Sequence, residues 1–281
     1  MPFTLSHAAA ALPALRPDGT GRGGLVPAVL VAGTFAPDMT YFAASVLSGA
    51  MEFGTVTHSL PGLLTIDVLI AWTLVGLWLL LREPLVALLP RSRQAAPATL
   101  LRCGTPREPL RPALALRWYV SAALGALTHV VWDAFTHHDR WGLRLFPALD
   151  RTVAGFPLYW YLQYGSSAVA ALLIAAFCVR ALRRTPASAH PVGVPVLSTR
   201  DRWWALAVIG GCVTVGALAR ASRWWAYWGS TAKPWELIPT LCFGAGAGLV
   251  PGVLAHTAFV RLRRPAPTPD APRETDVPLP R

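Results

Sequence analysis

The stretch ALALRWYVSAALGALTHVVWDAFTHH, residues 113–138, decides how the rest of the chain is read. Most of it is apolar, and about 20 such residues suffice for a helix to cross a hydrocarbon core about 30 Å thick. Yet its second half carries Thr128, His129, Asp133, Thr136 and His137. A histidine, a carboxylate and a second histidine at four-residue intervals stack on one helical face. Ionisable groups within a membrane-length segment are costly unless they pair, bind metal or line a cavity, so this face leads to a metal site.

Further apolar runs lie at 25–47, 60–81, 160–179, 203–219 and 237–260. Hydrophobic residues make up 54% of the chain and charged ones 14%, with a mean hydropathy of +0.44. That balance excludes an ordinary soluble domain. It predicts an all-α polytopic membrane helix bundle of about five to six transmembrane segments, preceded by an amino-terminal amphipathic or re-entrant helix. Residues 1–16 have a short apolar block but no basic region ahead of it, which argues against a cleavable signal peptide. Residues 1–260 read as one integral membrane domain, and 261–281, rich in proline and charge, as a disordered cytoplasmic tail.

The net charge of +11 does not point to nucleic acid, because the arginines sit in connectors, where membrane topology explains them. They crowd 82–117 and 180–202 and are sparser in 140–151 and 220–233. Six spans would put both termini in the cytoplasm; a segment 25–47 broken at Pro37 and re-entrant would leave five. The connector 85–111, rich in proline and arginine, reads as a flexible cytoplasmic loop. Cys103, Cys178, Cys212 and Cys242 are scattered without a CxxC pair, so neither a disulfide framework nor a thiolate zinc site is expected.

His58, at the start of the second run, shares the non-cytoplasmic level of the 129–137 face. Asp38 follows Pro37, which breaks a regular helix and lets the carboxylate turn into a shared cavity. His7 joins them if the amino-terminal helix dips into the bundle. Neutral imidazoles with carboxylates suit a divalent metal, zinc first, with iron or manganese as alternatives. His7, Asp38, His58, His129 and Asp133 are the candidate ligands for one or two ions. Glu52 and His137 are candidates for proton transfer or for orienting the ligands. His256 is expected to hydrogen-bond a neighbouring helix, and His138 and His190 to be solvated in connectors. Gln163, Ser166 and Ser167 read as polar packing residues. Asp67, nine residues after His58, is expected on the opposite face of the same helix.

The ordered set Thr4-Leu5-Ser6-His7, Ala36-Pro37-Asp38, Thr57-His58-Ser59 and Thr128-His129-Val130-Val131-Trp132-Asp133 resembles the bacterial domain-of-unknown-function 4184 family. It is similar, more distantly, to the membrane-bound metal-dependent hydrolase family, which includes LexA-regulated inner-membrane hydrolases. That likeness implies hydrolysis, a bacterial cytoplasmic (inner) membrane location and ligand roles for His7, Asp38, His58, His129 and Asp133. The chain departs from the hydrolase pattern at Thr40, where a second aspartate is expected. A site at the membrane edge implies membrane lipids as partners and a lipid, lipid-linked or envelope-derived ester or phosphoester as substrate. The alternatives are a non-catalytic membrane scaffold and, third, an ion or solute transporter. For the transporter, Gly244, Gly246, Gly248, Pro251 and Gly252 would loosen the last span.

Overall fold

Prolines and small polar residues decide where the first 65 residues stop being helical. The computed structural model describes residues 3–104, 111–185 and 193–263. A 3-10 helix, Thr4–Ala14, comes first and buries Thr4, Ser6, His7 and Ala11. At about 2.0 Å per residue such a helix advances roughly 22 Å, so it passes deep into the bundle. The chain turns back beside the arginine-rich connectors, where Arg117 Nε donates to Gly24 O at 2.5 Å and Ala28 N to Gly104 O at 3.2 Å.

Helix α1 (Pro27–Phe35) starts on proline, whose missing N–H is harmless in a first turn. It gives way to a 3-10 turn, Ala36–Asp38, and then to α2 (Met39–Ala43). The run 25–47 therefore does not form one long α-helix: a 3-10 turn at Pro37 interrupts it, and it is not among the helices long enough to count as a span. Thr57 Oγ1 donates to Pro37 O at 2.8 Å, satisfying a carbonyl of the break. Two short helices follow, α3 (Gly54–Thr57) and α4 (Leu60–Leu64), the second capped by Ser59 Oγ accepting from Gly62 N.

Five helices are long and apolar enough to cross a membrane: α5 (Ile66–Ala87), α7 (Pro112–Thr136), α9 (Leu158–Arg184), α10 (Thr199–Trp228) and α11 (Leu237–Arg263). The protein is a multi-pass membrane protein. Large apolar side chains such as Leu172, Val215 and Leu218 face outward, as hydrocarbon contact favours. Among the described residues the connector 85–111 is not simply a loop, for it holds α6 (Ala95–Cys103). Beyond α7 lie α8 (Trp141–Leu145) and a two-residue hairpin, β1 (Thr152–Val153) against β2 (Phe156–Pro157). The expected tail begins inside the last turn of α11, and 264–281 lie outside the described residues, as does His190.

The packing around α7 sets up the site. Val29, Ala36, Ala71, Val75 and Ala122 form a buried cluster between α1, α5 and α7. Gly33 and Gly125 let α1 and α7 touch backbone to backbone: a Cβ on Gly125 would collide with Leu30 O, and one on Gly33 with Ala122 O. Small residues bring membrane helices together in this way. Gly216 meets Gly244 and Gly248 likewise between α10 and α11. Helix α11 runs unbroken through Gly244–Gly252, where Gly244, Gly248 and Gly252 allow close packing against α10.

Candidate metal centre

His129 and Asp133 occupy successive turns of α7, with Nε2 and Oδ2 3.4 Å apart. The close crossing of α1 brings Thr34 O within 2.7 Å of His129 Nδ1, which fixes the ring and leaves Nε2 facing inward. Asp38, on the turn after α1, is fully buried; its Oδ2 accepts from Thr4 Oγ1 at 2.5 Å, and its Oδ1 lies 3.4 Å from His129 Nε2. His58 caps the C-terminus of α3, with Nδ1 2.9 Å from Gly54 O. Its Nε2 lies 3.5 Å from Asp133 Oδ2 and 3.9 Å from Asp38 Oδ1. Asp38, His58, His129 and Asp133 thus each offer one atom to a common point, all within 4.8 Å of one another.

Those separations decide between a salt-bridge network and a ligand set. Hydrogen bonds from N–H to oxygen run about 2.7–3.2 Å. Two donors each about 2.0–2.2 Å from a tetrahedral ion stand roughly 3.3–3.6 Å apart. His58 Nε2, His129 Nε2 and Asp38 Oδ1 are buried without a hydrogen-bond partner, while the far atom of each side chain is held by a carbonyl or a hydroxyl. Tethering the outer atom and leaving the inner one free is how proteins prepare metal ligands. The group can hold a metal ion.

The remaining expected residues divide. His7 is brought in: its ring stacks on His129 with centroids 3.9 Å apart, and Nε2 lies 3.4 Å from Asp133 Oδ1. His137 is also brought in, with Nδ1 3.7 Å from Asp133 Oδ1 and Nε2 2.8 Å from Gln163 Nε2. Burial pushes the His137 imidazole down to about 4 against the pull of Asp133, which keeps the ring neutral near pH 7. Glu52 is exposed in the turn before α3, away from the group.

Other expectations are corrected or met by the contacts. Asp67 does not share a helix with His58, because the chain breaks at Ser59 and Thr65; it is fully buried at the start of α5. His256 bonds Pro84 O at 3.0 Å, as a helix-packing histidine should, and exposed His138 pairs with Asp139. Gln163, Ser166 and Ser167 join α9 to its neighbours, as polar packing residues should: the first touches His137, the second accepts from Trp132 Nε1 at 3.1 Å, and the third accepts from Ser6 Oγ at 3.3 Å. Thr4 and the carbonyls of Thr34 and Gly54 carry no signal of their role in the sequence, since a short hydroxyl and two backbone oxygens look alike everywhere.

No curated protein and no solved structure matches the chain. One family model does, over residues 1–258, a span that contains every residue of the buried group, and the chain belongs to the family it describes, the Domain of unknown function (DUF4184).

Proposed function

We propose that this protein is a membrane-bound metal-dependent hydrolase of the bacterial cytoplasmic membrane, with Asp38, His58, His129 and Asp133 as the metal ligands. The observation that carries the reading is the set of buried nitrogen and oxygen atoms facing one another at 3.4–3.9 Å, with the outer atoms of Asp38, His58 and His129 tethered. Two imidazoles and two carboxylates favour zinc, with iron or manganese next. A bound divalent cation supplies Lewis-acid polarisation of an ester or phosphoester and acidifies water beside it.

This chain's own residues would do the rest. Thr4, Thr34 and Gly54 hold the ligand atoms in place, so binding needs little rearrangement. The loop leading to His58 exposes Val46, Leu47, Met51 and Phe53, an apolar rim that suits a lipid or lipid-linked substrate. The opposite ends of the long helices carry most of the arginines, which the positive-inside rule places in the cytoplasm, so the site faces outward.

Elemental mass spectrometry on detergent-purified protein tests the centre. Near-stoichiometric zinc, iron or manganese is expected, with loss in His129→Ala and in Asp133→Ala while membrane insertion persists. Metal retained in both variants overturns the ligand set; no metal after reloading favours the scaffold. A screen of metal-loaded protein against phospholipid and phosphodiester substrates then tests hydrolysis. Thiol labelling from outside, in a cysteine-free background, should reach a cysteine placed at Ser59 and not one at Ser92; the reverse pattern inverts the orientation.

A further inference from the structure

Helix α10 carries two arginines that the centre described above does not use. Arg220 and Arg223 stand one turn apart in its last third, away from the arginine-rich connectors and just ahead of Trp224, Trp225 and Trp228. Basic residues at that end run against the positive-inside bias, and ionisable groups within a membrane-length helix mark function unless they are paired. Both side chains reach the same residue beyond α2. Arg220 Nη1 donates to Ser45 Oγ at 2.6 Å and to Tyr41 O at 2.8 Å, and Arg223 Nη2 donates to Ser45 O at 2.5 Å. Every one of these acceptors is neutral. Among the described residues no ion pair joins either guanidinium to a carboxylate. Two like charges therefore meet at Ser45, each with most of its five donors unmatched by protein, and an anion with several oxygens would complete the pair.

The surroundings narrow the class of anion. Ser45 adjoins Val46 and Leu47 of the exposed apolar rim, and the next face of α10 lines an apolar cleft of about 300 Å³, with Ala221, Trp224 and Trp225 against Pro234 and Leu237. The Arg220 guanidinium lies over the Phe243 ring at 5.3 Å from its centroid. Tyr41 then connects the pair to the metal centre, its ring centroid 5.6 Å from that of Phe243 and 5.8 Å from that of His58. Apolar surface thus adjoins the two charges, and one aromatic residue separates them from a candidate ligand. We propose that Arg220 and Arg223 form a phosphate-binding site, which holds the headgroup phosphate of a lipid beside the metal centre with its chains against the rim and the cleft. As the place where substrate is held, the site rests on the hydrolase reading above and narrows its substrate to a phosphate-bearing amphiphile. Ser45 is the positioning residue: it holds both guanidiniums side by side, so a phosphate meets a pair already ordered.

The detergent-purified full-length protein, stripped of metal so that no substrate is consumed, tests this by native mass spectrometry with phosphatidylglycerol, diacylglycerol of the same chains and glycerol phosphate. Wild type should prefer phosphatidylglycerol over diacylglycerol by about 10-fold or more, as charge-assisted bonds to phosphate imply, and Arg220→Gln and Arg223→Gln should each lose that margin. Arg223 is exposed, so its variant reports even where Arg220→Gln does not fold. Glycerol phosphate bound with the same arginine dependence supports the site and makes a soluble phosphate ester a source of its ligand. No binding of glycerol phosphate, with the margin intact, supports it as a site for lipid. Equal affinity for phosphatidylglycerol and diacylglycerol in wild type, or a margin unchanged in both variants, overturns it. Elemental analysis of unstripped samples separates the two readings: metal without the margin overturns the phosphate site alone, and the margin without metal overturns the hydrolase alone.

Discussion

Two clusters of buried ionisable groups sit at opposite ends of the long helices, and they are built differently. At the arginine-rich end, Arg82 Nε lies 3.0 Å from Glu83 Oε1, with Arg102 Nε at 3.4 Å from the same oxygen. That cluster closes on itself with opposite charges, Arg82 at hydrogen-bond distance from Glu83, as a buried ion pair must if it is not to destabilise the fold. At the other end, two carboxylates and the imidazoles of His7, His58 and His129 stand 3.4–3.9 Å apart, with inner atoms left unbonded. Burial is common to both, so burial alone does not mark function. Unmatched atoms tell them apart: the first cluster is closed by protein groups, and the second leaves inner nitrogen and oxygen atoms that can take a metal ion.

Substitutions can break or sharpen that contrast. The largest effect is expected from Glu83→Ala, which leaves buried Arg82 without its carboxylate and should destabilise the fold by about 3–5 kcal/mol, with metal content unchanged. Thermal unfolding in detergent alongside elemental analysis would check it, and metal lost in step with stability would erase the distinction. Asp133→Ala should do the reverse. Metal affinity is expected to fall more than about 100-fold, or about 2.7 kcal/mol, beyond what groups that merely orient a ligand provide, as read by chelator competition.

Thr4→Val removes only the hydroxyl that holds Asp38 Oδ2. It should weaken metal binding about 10–100-fold, and an unchanged affinity would show that the tether is ornamental. The smallest effect belongs to His256→Ala, whose single bond to Pro84 O resembles the interhelical hydrogen bonds that average about 0.6 kcal/mol in membranes. Metal content should not change. If it did, His256 would have to be linked to the distant cluster.

The parts of the site that sequence made legible are those where periodicity turns spacing into geometry. His129 and Asp133 are one turn apart on a regular helix, so their meeting follows from the helix itself. Asp38 and His58 stood out because polar groups interrupt apolar runs. The count of spans was open because 25–47 is hydrophobic enough to cross but carries Pro37 and Asp38 in its middle, where the structure shows a 3-10 turn between two short helices. Asp67 was placed by assuming a continuous helix across Ser59 and Thr65, which the short helices α3 and α4 do not allow. Glu52 was chosen for its chemistry with no spacing to support it, and it stays at the surface. The Thr34 carbonyl that aims His129 was beyond reach, since its place depends on how closely α1 crosses α7 at Gly33 and Gly125.

The four atoms of the proposed centre come from residues 38–133, ahead of the three longest helices in chain order. Amino-terminal segments fold first as a chain emerges from the ribosome. A nascent chain threaded through α7 therefore already holds every ligand of that centre, while α10 and α11 have yet to be synthesised. The polar cluster is thus complete in chain order before α10 and α11 are made, which pack on each other with α11 also along α5.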